Sequence, residues 1–233
     1  MARVFAISDL HLSLAVAEKS MDVFGARWER YIPRLAEAWT REVRADDLVL
    51  IPGDISWAMQ LKEAAPDFAF LAELSGQKIL LRGNHDYWWS SYRQVTGSLP
   101  DGLRAIQNNA LRFEQVTVAG TRGWLSPQHN AFSEEKDRKI FERELGRLRL
   151  SLSALPEETT NIVMLHYPPF SEKGEPTAFV QVLEEFPVAH VVYGHLHGAA
   201  SKTAFCGERN GIAYHFVSAD HLAFTPKQIL SSV

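Results

Sequence analysis

The sequence predicts an α/β fold, and three observations indicate this class. Short apolar runs rich in Val, Ile and Leu recur along the chain, segments with helical spacing separate them, and residues 204–230 consist mostly of strand and turn patterns. Strands that alternate with helices are typical of layered α/β proteins, whereas the strand-rich end argues against a purely parallel sheet. Because 233 residues is a common length for one such domain, we expect a single domain over residues 1–233.

The predicted strands are short and almost entirely apolar. Runs of this kind are typical of strands that are buried on both faces of a sheet. They occupy residues 4–7, 48–51, 78–81, 116–120, 161–165, 190–193 and 213–218.

The helical spacing of apolar residues predicts helices over residues 24–43, 60–75, 133–153 and 177–186. One face of the first helix carries Trp28, Tyr31, Leu35, Trp39 and Val43. Ser133 is a suitable N-cap for the third helix because acidic residues follow it in the first turn. Pro66 is expected to break or restart the second.

Composition excludes several classes of protein. The net charge of -4 argues against holding nucleic acid or an anionic membrane by bulk charge. A single cysteine, Cys206, leaves neither an internal disulfide nor a thiolate metal cluster. No apolar run approaches the ~20 residues of a membrane span, and a strand pattern begins too early for a signal peptide. We therefore expect a cytoplasmic protein.

Five of the predicted strands end in polar side chains that commonly bind metals. These side chains are Asp9 and His11, Asp54, Asn84 and His85, His166, and His195 and His197. Open α/β sheets bind ligands beyond the carboxyl ends of their strands, so groups at five such ends are expected to form one site.

The spacing within two of these segments supports a metal site. In Asp9-x-His11 and His195-x-His197, residues two apart on an extended chain project to the same side. His, Asp and Asn without Cys form the ligand set of cations such as Mn, Fe or Zn. Each segment alone also has a structural interpretation, such as turn chemistry for Gly-Asp, but the ordered combination favours a site.

This ordered set resembles the calcineurin-like metallophosphoesterase family. The matching motifs are Asp9-x-His11, Gly53-Asp54, Gly83-Asn84-His85-Asp86, His166 and Gly194-His195-x-His197. The resemblance implies a four-layer αββα sandwich, with two facing mixed β-sheets between outer helices. It also implies an enzyme that hydrolyses a small phosphodiester or phosphomonoester.

The resemblance further implies two metal ions, divalent or trivalent, drawn from Mn, Fe or Zn. It assigns Asp9, His11 and His197 to one ion and Asn84, His166 and His195 to the other, with Asp54 bridging both and His85 binding phosphate or protonating the leaving oxygen. General chemistry agrees with these roles. A carboxylate can bridge two cations, and water shared by them becomes a hydroxide nucleophile near neutral pH. A neutral amide at Asn84 preserves net positive charge for the phosphate.

Two departures from the family pattern are informative. Many members carry a carboxylate three residues after the bridging Asp, which can orient the catalytic His; Trp57 occupies that position here. The Gly-Asp-x-x-Asp-Arg-Gly run of the Ser/Thr protein phosphatases is absent from the sequence. Asp86 is interpreted as a turn cap, in preference to a residue that supports the metal ligands. Asp220, His221 and Cys206 are interpreted as structural.

The sequence also offers candidate substrate contacts and two alternative functions. Trp88 is a candidate stacking surface and Arg122, with Arg82, a candidate second phosphate contact, although aromatic braces and structural arginines fit the same positions. His129 could rim the cleft. One alternative is a metal-dependent nuclease, which the lack of a basic stripe disfavours. Another is a non-catalytic scaffold, which the complete set of seven ligand positions disfavours.

Overall fold

A computed structural model describes residues 2–232 and contains two mixed β-sheets with helices on their outer faces. The strands are β1 Val4–Ala6, β2 Leu48–Pro52, β3 Gln77–Leu81, β4 Leu103–Ile106, β5 Ala110–Phe113, β6 Val116–Thr121, β7 Thr160–Leu165, β8 His190–Tyr193, β9 Gly207–Arg209, β10 Ile212–Phe216 and β11 Lys227–Leu230. All seven predicted strands are confirmed to within two residues.

The helices agree with the predicted segments in most places. They are α1 Tyr31–Glu42, α2 Ala65–Glu73, α3 Tyr92–Thr96, α4 Glu134–Leu152 and α5 Ala178–Leu183, with 3-10 turns at Ala17–Lys19, Met21–Phe24, Leu61–Ala64 and Gly198–Thr203. Ser133 caps α4 as predicted, since its side chain accepts a hydrogen bond from the Lys136 amide. Pro66 lies in the first turn of α2, so the helix restarts there. The helix predicted from residue 24 begins only at Tyr31, because Arg30 adopts a left-handed conformation with φ 49°.

Sheet topology places most parallel strands in the interior and antiparallel strands at the edges. The first sheet has the order β11-β1-β2-β3-β4 and the second β5-β6-β7-β8-β10-β9. Strand β11 pairs antiparallel with β1, β5 with β6, and β9 with β10, whereas the other pairings are parallel. The expectation that the sheet is not purely parallel is confirmed.

Successive side chains along the strands alternate between two cores, and this arrangement gives a four-layer sandwich. In β2, Leu48 and Leu50 face the core between the sheets, and Val49 and Ile51 face the core beneath α1 and α2. Helices α4 and α5 cover the second sheet through a third core. The predicted αββα architecture is therefore confirmed. No helix within residues 2–232 is both long and apolar enough to span a membrane.

Candidate active site

The eight predicted site residues come from loops at the carboxyl ends of five strands. Loops after β1, β2 and β3 carry five of them, and loops after β7 and β8 carry the other three. The ends of these parallel strands lie along one edge of the sandwich, so both sheets contribute to the same cluster. The side chains that the structure brings together are those of Asp9, His11, Asp54, Asn84, His85, His166, His195 and His197.

One half of the cluster consists of Asp9, His11 and His197. The Nε2 atoms of the two imidazoles are 3.4 Å apart, and His197 Nε2 is 3.5 Å from Asp9 Oδ1. These three side chains offer ligand atoms close enough together to hold one metal ion.

The other half contains an amide oxygen between two imidazole nitrogens. Asn84 Oδ1 lies 2.6 Å from His166 Nε2 and 2.8 Å from His195 Nδ1, and these two nitrogens are 3.3 Å apart. Asp54 lies between the halves, because its Oδ2 is 3.7 Å from His11 Nε2 and 3.5 Å from His166 Nε2. One carboxylate oxygen therefore faces ligand atoms of both groups.

The donor set fits metal binding by its hydrogen bonds as well as its composition. His166 Nδ1 contacts the Pro52 carbonyl oxygen at 3.0 Å, and His197 Nδ1 contacts Asp220 Oδ1 at 3.0 Å. With Nδ1 protonated, each ring would donate to these oxygens and leave its Nε2 free to bind a metal, as in metal-ligating histidines. Nitrogen and oxygen ligands without sulfur suit Mn, Fe or Zn.

The buried carboxylates of the cluster require compensating positive charge. Asp9 and Asp54 are 0% and 1% exposed. Burial, followed by the charges of Asp86 and Asp9, raises the pKa of Asp54 well above its ordinary value. Burial also opposes ionisation of Asp9, but the neighbouring imidazole of His197 lowers its pKa. Buried carboxylates of this kind are stabilised by bound cations.

The backbone is strained where it presents the ligands. Asp9, His11, Asp54 and His195 have φ angles of 58°, 45°, 51° and 75°, in the left-handed region that L-residues rarely adopt. Such conformations cost on the order of 1–3 kcal/mol each and concentrate at functional sites. Close packing adds a further constraint, since a Cβ at Gly83 would overlap the carboxylate of Asp54.

Asp86 does more than cap its own turn, which corrects the favoured sequence interpretation. Its carboxylate accepts hydrogen bonds from the amides of Gly83 at 2.7 Å, Asp54 at 3.0 Å, Ile55 at 2.8 Å and Ser56 at 3.2 Å. It also accepts one from the indole Nε1 of Trp88 at 2.9 Å. The side chain therefore joins the loop after β2 to the loop after β3.

His85 lies beside the cluster, and no carboxylate within residues 2–232 forms a hydrogen bond with its ring. Its ring is 5.8 Å from that of His11 and 4.9 Å from that of Trp57. Its Nδ1 is buried with no hydrogen-bond partner among residues 2–232, and burial lowers its pKa. Trp57 instead stacks on His11 at 4.8 Å.

The candidate substrate contacts Trp88 and Arg122 lie outside the ligand cluster. Trp88 is 1% exposed and packs against Phe68 and Trp89, so burial withholds its ring from substrate, and the stacking interpretation is corrected to a bracing one. The Arg122 guanidinium lies 4.5 Å from the Trp124 ring and 3.9 Å from Glu144, outside the ligand cluster.

Sequence reasoning missed residues that support the ligands. Asp220 contacts His197 and accepts a hydrogen bond from the Gly198 amide at 3.1 Å, which corrects its interpretation as merely structural. Ser218 Oγ donates to Asp9 at 2.8 Å. Both residues follow β10, so the strand-end rule that located the ligands would have located them too.

Two pockets adjoin the cluster from different directions. One, of about 730 Å³, is lined by His11, Met21, Phe24, Arg27, Trp28, Trp57, His85, His197, Gly198, Ala199, Lys202 and Asp220. The other, of about 210 Å³, is largely apolar and reaches the cluster at Tyr167 and His195. His129 lines this second pocket, as expected for a residue at the rim.

Comparisons with known structures agree with this architecture. Phosphopantetheinyl hydrolase from Mycobacterium tuberculosis superposes with a TM-score of 0.60 and 14% identity, covering 99% of this chain and 96% of its own. A protein of unknown function from Aquifex aeolicus superposes with a TM-score of 0.53 and 13% identity, covering 98% of this chain and 96% of its own. Calcineurin-like phosphoesterase YfkN from Bacillus subtilis superposes with a TM-score of 0.50 and 15% identity, covering 94% of this chain and 82% of its own. Identities this low establish similarity of fold alone.

Sequence comparisons identify the family. No curated protein matches the sequence significantly. The family profile described as calcineurin-like phosphoesterase matches residues 2–199, nearly the whole chain, and this confirms the resemblance drawn from the motifs. The chain therefore belongs to the calcineurin-like phosphoesterase family and is a phosphoric ester hydrolase.

Proposed function

We propose that this phosphoesterase uses two metal ions in one centre. The observation that carries the proposal is the position of Asp54, whose Oδ2 faces His11 on one side and His166 on the other. One cation would be held by Asp9, His11 and His197 and the other by Asn84, His166 and His195, with Asp54 as a ligand to both. Manganese, iron and zinc all suit these ligands.

Cations held by these ligands would supply charge neutralisation for the phosphoryl oxygens and would acidify a water molecule to serve as the nucleophile. The protein's own groups prepare the site for this chemistry. Asp220 and the Pro52 carbonyl hold His197 and His166 in the required tautomers. His85 lines the larger pocket beside the cluster, where its imidazole can donate a hydrogen bond to the phosphate or a proton to the leaving oxygen.

We propose that phosphodiesters are better substrates than phosphomonoesters. A diester carries two organic groups, and the two pockets that adjoin the cluster would accommodate one each. The leaving alcohol would occupy the pocket that contains His85, because that is the residue proposed to protonate it. A monoester would use only one pocket and would gain less binding energy.

The test is turnover of bis(4-nitrophenyl) phosphate and 4-nitrophenyl phosphate by protein that has been stripped of metal and reloaded with manganese. Asp54→Asn should lower kcat/KM by at least about 100-fold, since loss of a ligand exceeds the 10- to 100-fold effect of removing a residue behind one. Asp67→Asn is the matched control, because this buried carboxylate binds Ser56 and the Leu14 amide outside the cluster.

Metal content, measured by mass spectrometry on each variant, distinguishes the outcomes. We expect two ions per chain in the wild type and fewer in Asp54→Asn. Wild-type turnover in an Asp54→Asn protein that retains two ions would refute the assigned role of Asp54. Faster turnover of the monoester would overturn the proposed diester preference while leaving the metal centre intact.

A further inference from the structure

A separate polar pocket lies between the carboxyl ends of β3 and β6 and helix α4. Its lining consists of Leu81, Arg82, Gln107, Thr121, Arg122, Glu144 and Arg147. None of the eight site residues contributes to it. Its volume of about 50 Å³ is enough for roughly three or four water molecules, or for one small tetrahedral oxyanion.

Positive charge exceeds negative charge around this pocket. Glu144, which is 1% exposed, accepts hydrogen bonds from Arg147 at 2.7 Å and from Thr121 Oγ1 at 2.6 Å. The same carboxylate also lies 3.8 Å from Arg143 and 3.9 Å from Arg122. A single carboxylate thus faces several guanidinium groups and neutralises only one of them.

Two of the guanidinium groups, those of Arg82 and Arg122, make no hydrogen bond to another group within residues 2–232. Arg82 Nε is buried with no hydrogen-bond partner among residues 2–232. The Arg122 side chain is 16% exposed, and its nearest carboxylate, Glu144, is too distant for a hydrogen bond. A buried polar group without a partner costs free energy, and more so when it is charged. Both arginines line the pocket, so their guanidinium groups are available to a ligand bound there.

We propose that this pocket binds a tetrahedral oxyanion, a phosphoryl group or sulfate, through Arg82 and Arg122. Guanidinium groups match such oxyanions because their planar N–H donors can bind two oxygens at once. Gln107 is a third donor, since its Oε1 accepts from Trp89 Nε1 at 3.2 Å and its amide nitrogen is left for the ligand.

The pocket is connected by the backbone to two ligands of the proposed metal centre, Asn84 and His166. Arg82 directly precedes Gly83 and Asn84 in the chain. The Arg122 carbonyl accepts hydrogen bonds from the amides of His166 at 3.1 Å and Tyr167 at 3.0 Å. The bound group has two possible sources with the same chemistry: a free oxyanion, or a second phosphate on the substrate.

Binding is tested directly by soaking crystals of the metal-loaded wild-type protein in selenate, an anomalous scatterer that mimics sulfate. We expect an anomalous peak within hydrogen-bond distance of Arg82 and Arg122. No peak in this pocket at saturating selenate would overturn the proposal, and this result does not depend on any variant folding or on any catalytic activity.

Equilibrium dialysis with radioactive sulfate gives a second measurement on the metal-loaded protein. Arg82→Gln and Arg122→Gln should each weaken one sulfate site by roughly tenfold or more, the effect of losing a charge-assisted hydrogen bond. Arg138→Gln is the matched control, because this residue of α4 is paired with Glu134 on the exposed surface. Equal stoichiometry and affinity in the wild type and both pocket variants would contradict the assignment.

Kinetics distinguish the two sources and rest on the proposed function. If a free oxyanion is the ligand, sulfate should change turnover of a singly phosphorylated aryl ester in the wild type but much less in Arg82→Gln. If the substrate supplies the group, Arg82→Gln should raise KM for an aryl bisphosphate far more than for the singly phosphorylated ester. A failure of catalysis would leave the selenate and dialysis results intact.

Discussion

Asn84 is the residue at which the charge of the site is decided. Its amide oxygen is shared by His166 and His195 at 2.6 and 2.8 Å, next to a cluster that already contains Asp9 and Asp54. A third carboxylate here would cancel more of the charge of two bound divalent cations. Under the proposed function, the neutral ligand preserves the positive charge that binds a phosphoryl group.

The role of His85 is testable through the leaving group. We predict that His85→Gln lowers kcat/KM by about 100-fold or more for phenyl esters, because phenolate needs a proton as it departs. The loss should be smaller for 4-nitrophenyl esters, whose leaving group departs as a stable anion. The measurement is kcat/KM plotted against the pKa of the leaving alcohol.

The control for this experiment is His129→Gln, which alters a histidine that lines the smaller pocket. This variant should change kcat/KM by a similar factor for every ester. If His85→Gln also slows every ester equally, the imidazole acts in phosphate binding and not as a proton donor.

At the scale of elements, the loops after β2 and β3 form one unit. Asp86 supplies this connection by accepting from four backbone amides and one indole. The strained backbone of Asp54 lies within the same loops, so the hydrogen bonds offset conformational strain at the place where the ligands are presented.

We predict that Asp86→Ala lowers the free energy of unfolding by about 3 kcal/mol or more, because it leaves five donors without their acceptor and each buried unsatisfied donor costs about 1–3 kcal/mol before water enters. Urea denaturation monitored by tryptophan fluorescence measures the change. Asp101→Ala, at an exposed turn, is the control and should have little effect. A loss no larger than that of the control would show that the connection is not important for stability.

At the scale of the whole molecule, the site depends on the packing of two sheets. Asp9, Asp54 and Asn84 follow strands of the first sheet, whereas His166 and His195 follow strands of the second. The apolar core between the sheets therefore holds the ligands from the first sheet in register with those from the second. This core stabilises the fold and positions the ligands at the same time.

Global stability should also show the pH dependence of a buried lysine. Lys78 on β3 is 1% exposed, and burial lowers its pKa to about 8. Between that value and the ordinary pKa of 10.5, the unfolded chain binds more protons than the folded one, so stability should rise with pH through this window.

Urea denaturation at several pH values measures this rise, and Lys78→Met should reduce it. Lys62→Met, at an exposed position in the turn before α2, should leave the slope as in the wild type. An unchanged slope in Lys78→Met would assign the pH dependence to other groups.

The sequence alone determined the fold class, the interior strands and the convergence of the eight site residues. Two local signals in the sequence were sufficient for this. An apolar run marks a buried strand, and a polar group directly after the run must lie at the carboxyl end of that strand. Strands β4 and β5 were missed because Arg104 and Arg112 are exposed on them, so neither reads as a continuous apolar run. Helix α3 was missed because five residues are too few to show a helical period.

The packing of distant elements settles which side chains support the site and which lie apart from it. Asp86 reaches Asp54 across 32 positions of sequence, Asp220 reaches His197 across 23, and Trp88 is buried against Phe68. The surplus of arginines near Glu144 likewise arises from three separate segments. Such contacts depend on how distant elements pack, and no local pattern of residues records the distance between two side chains on different elements.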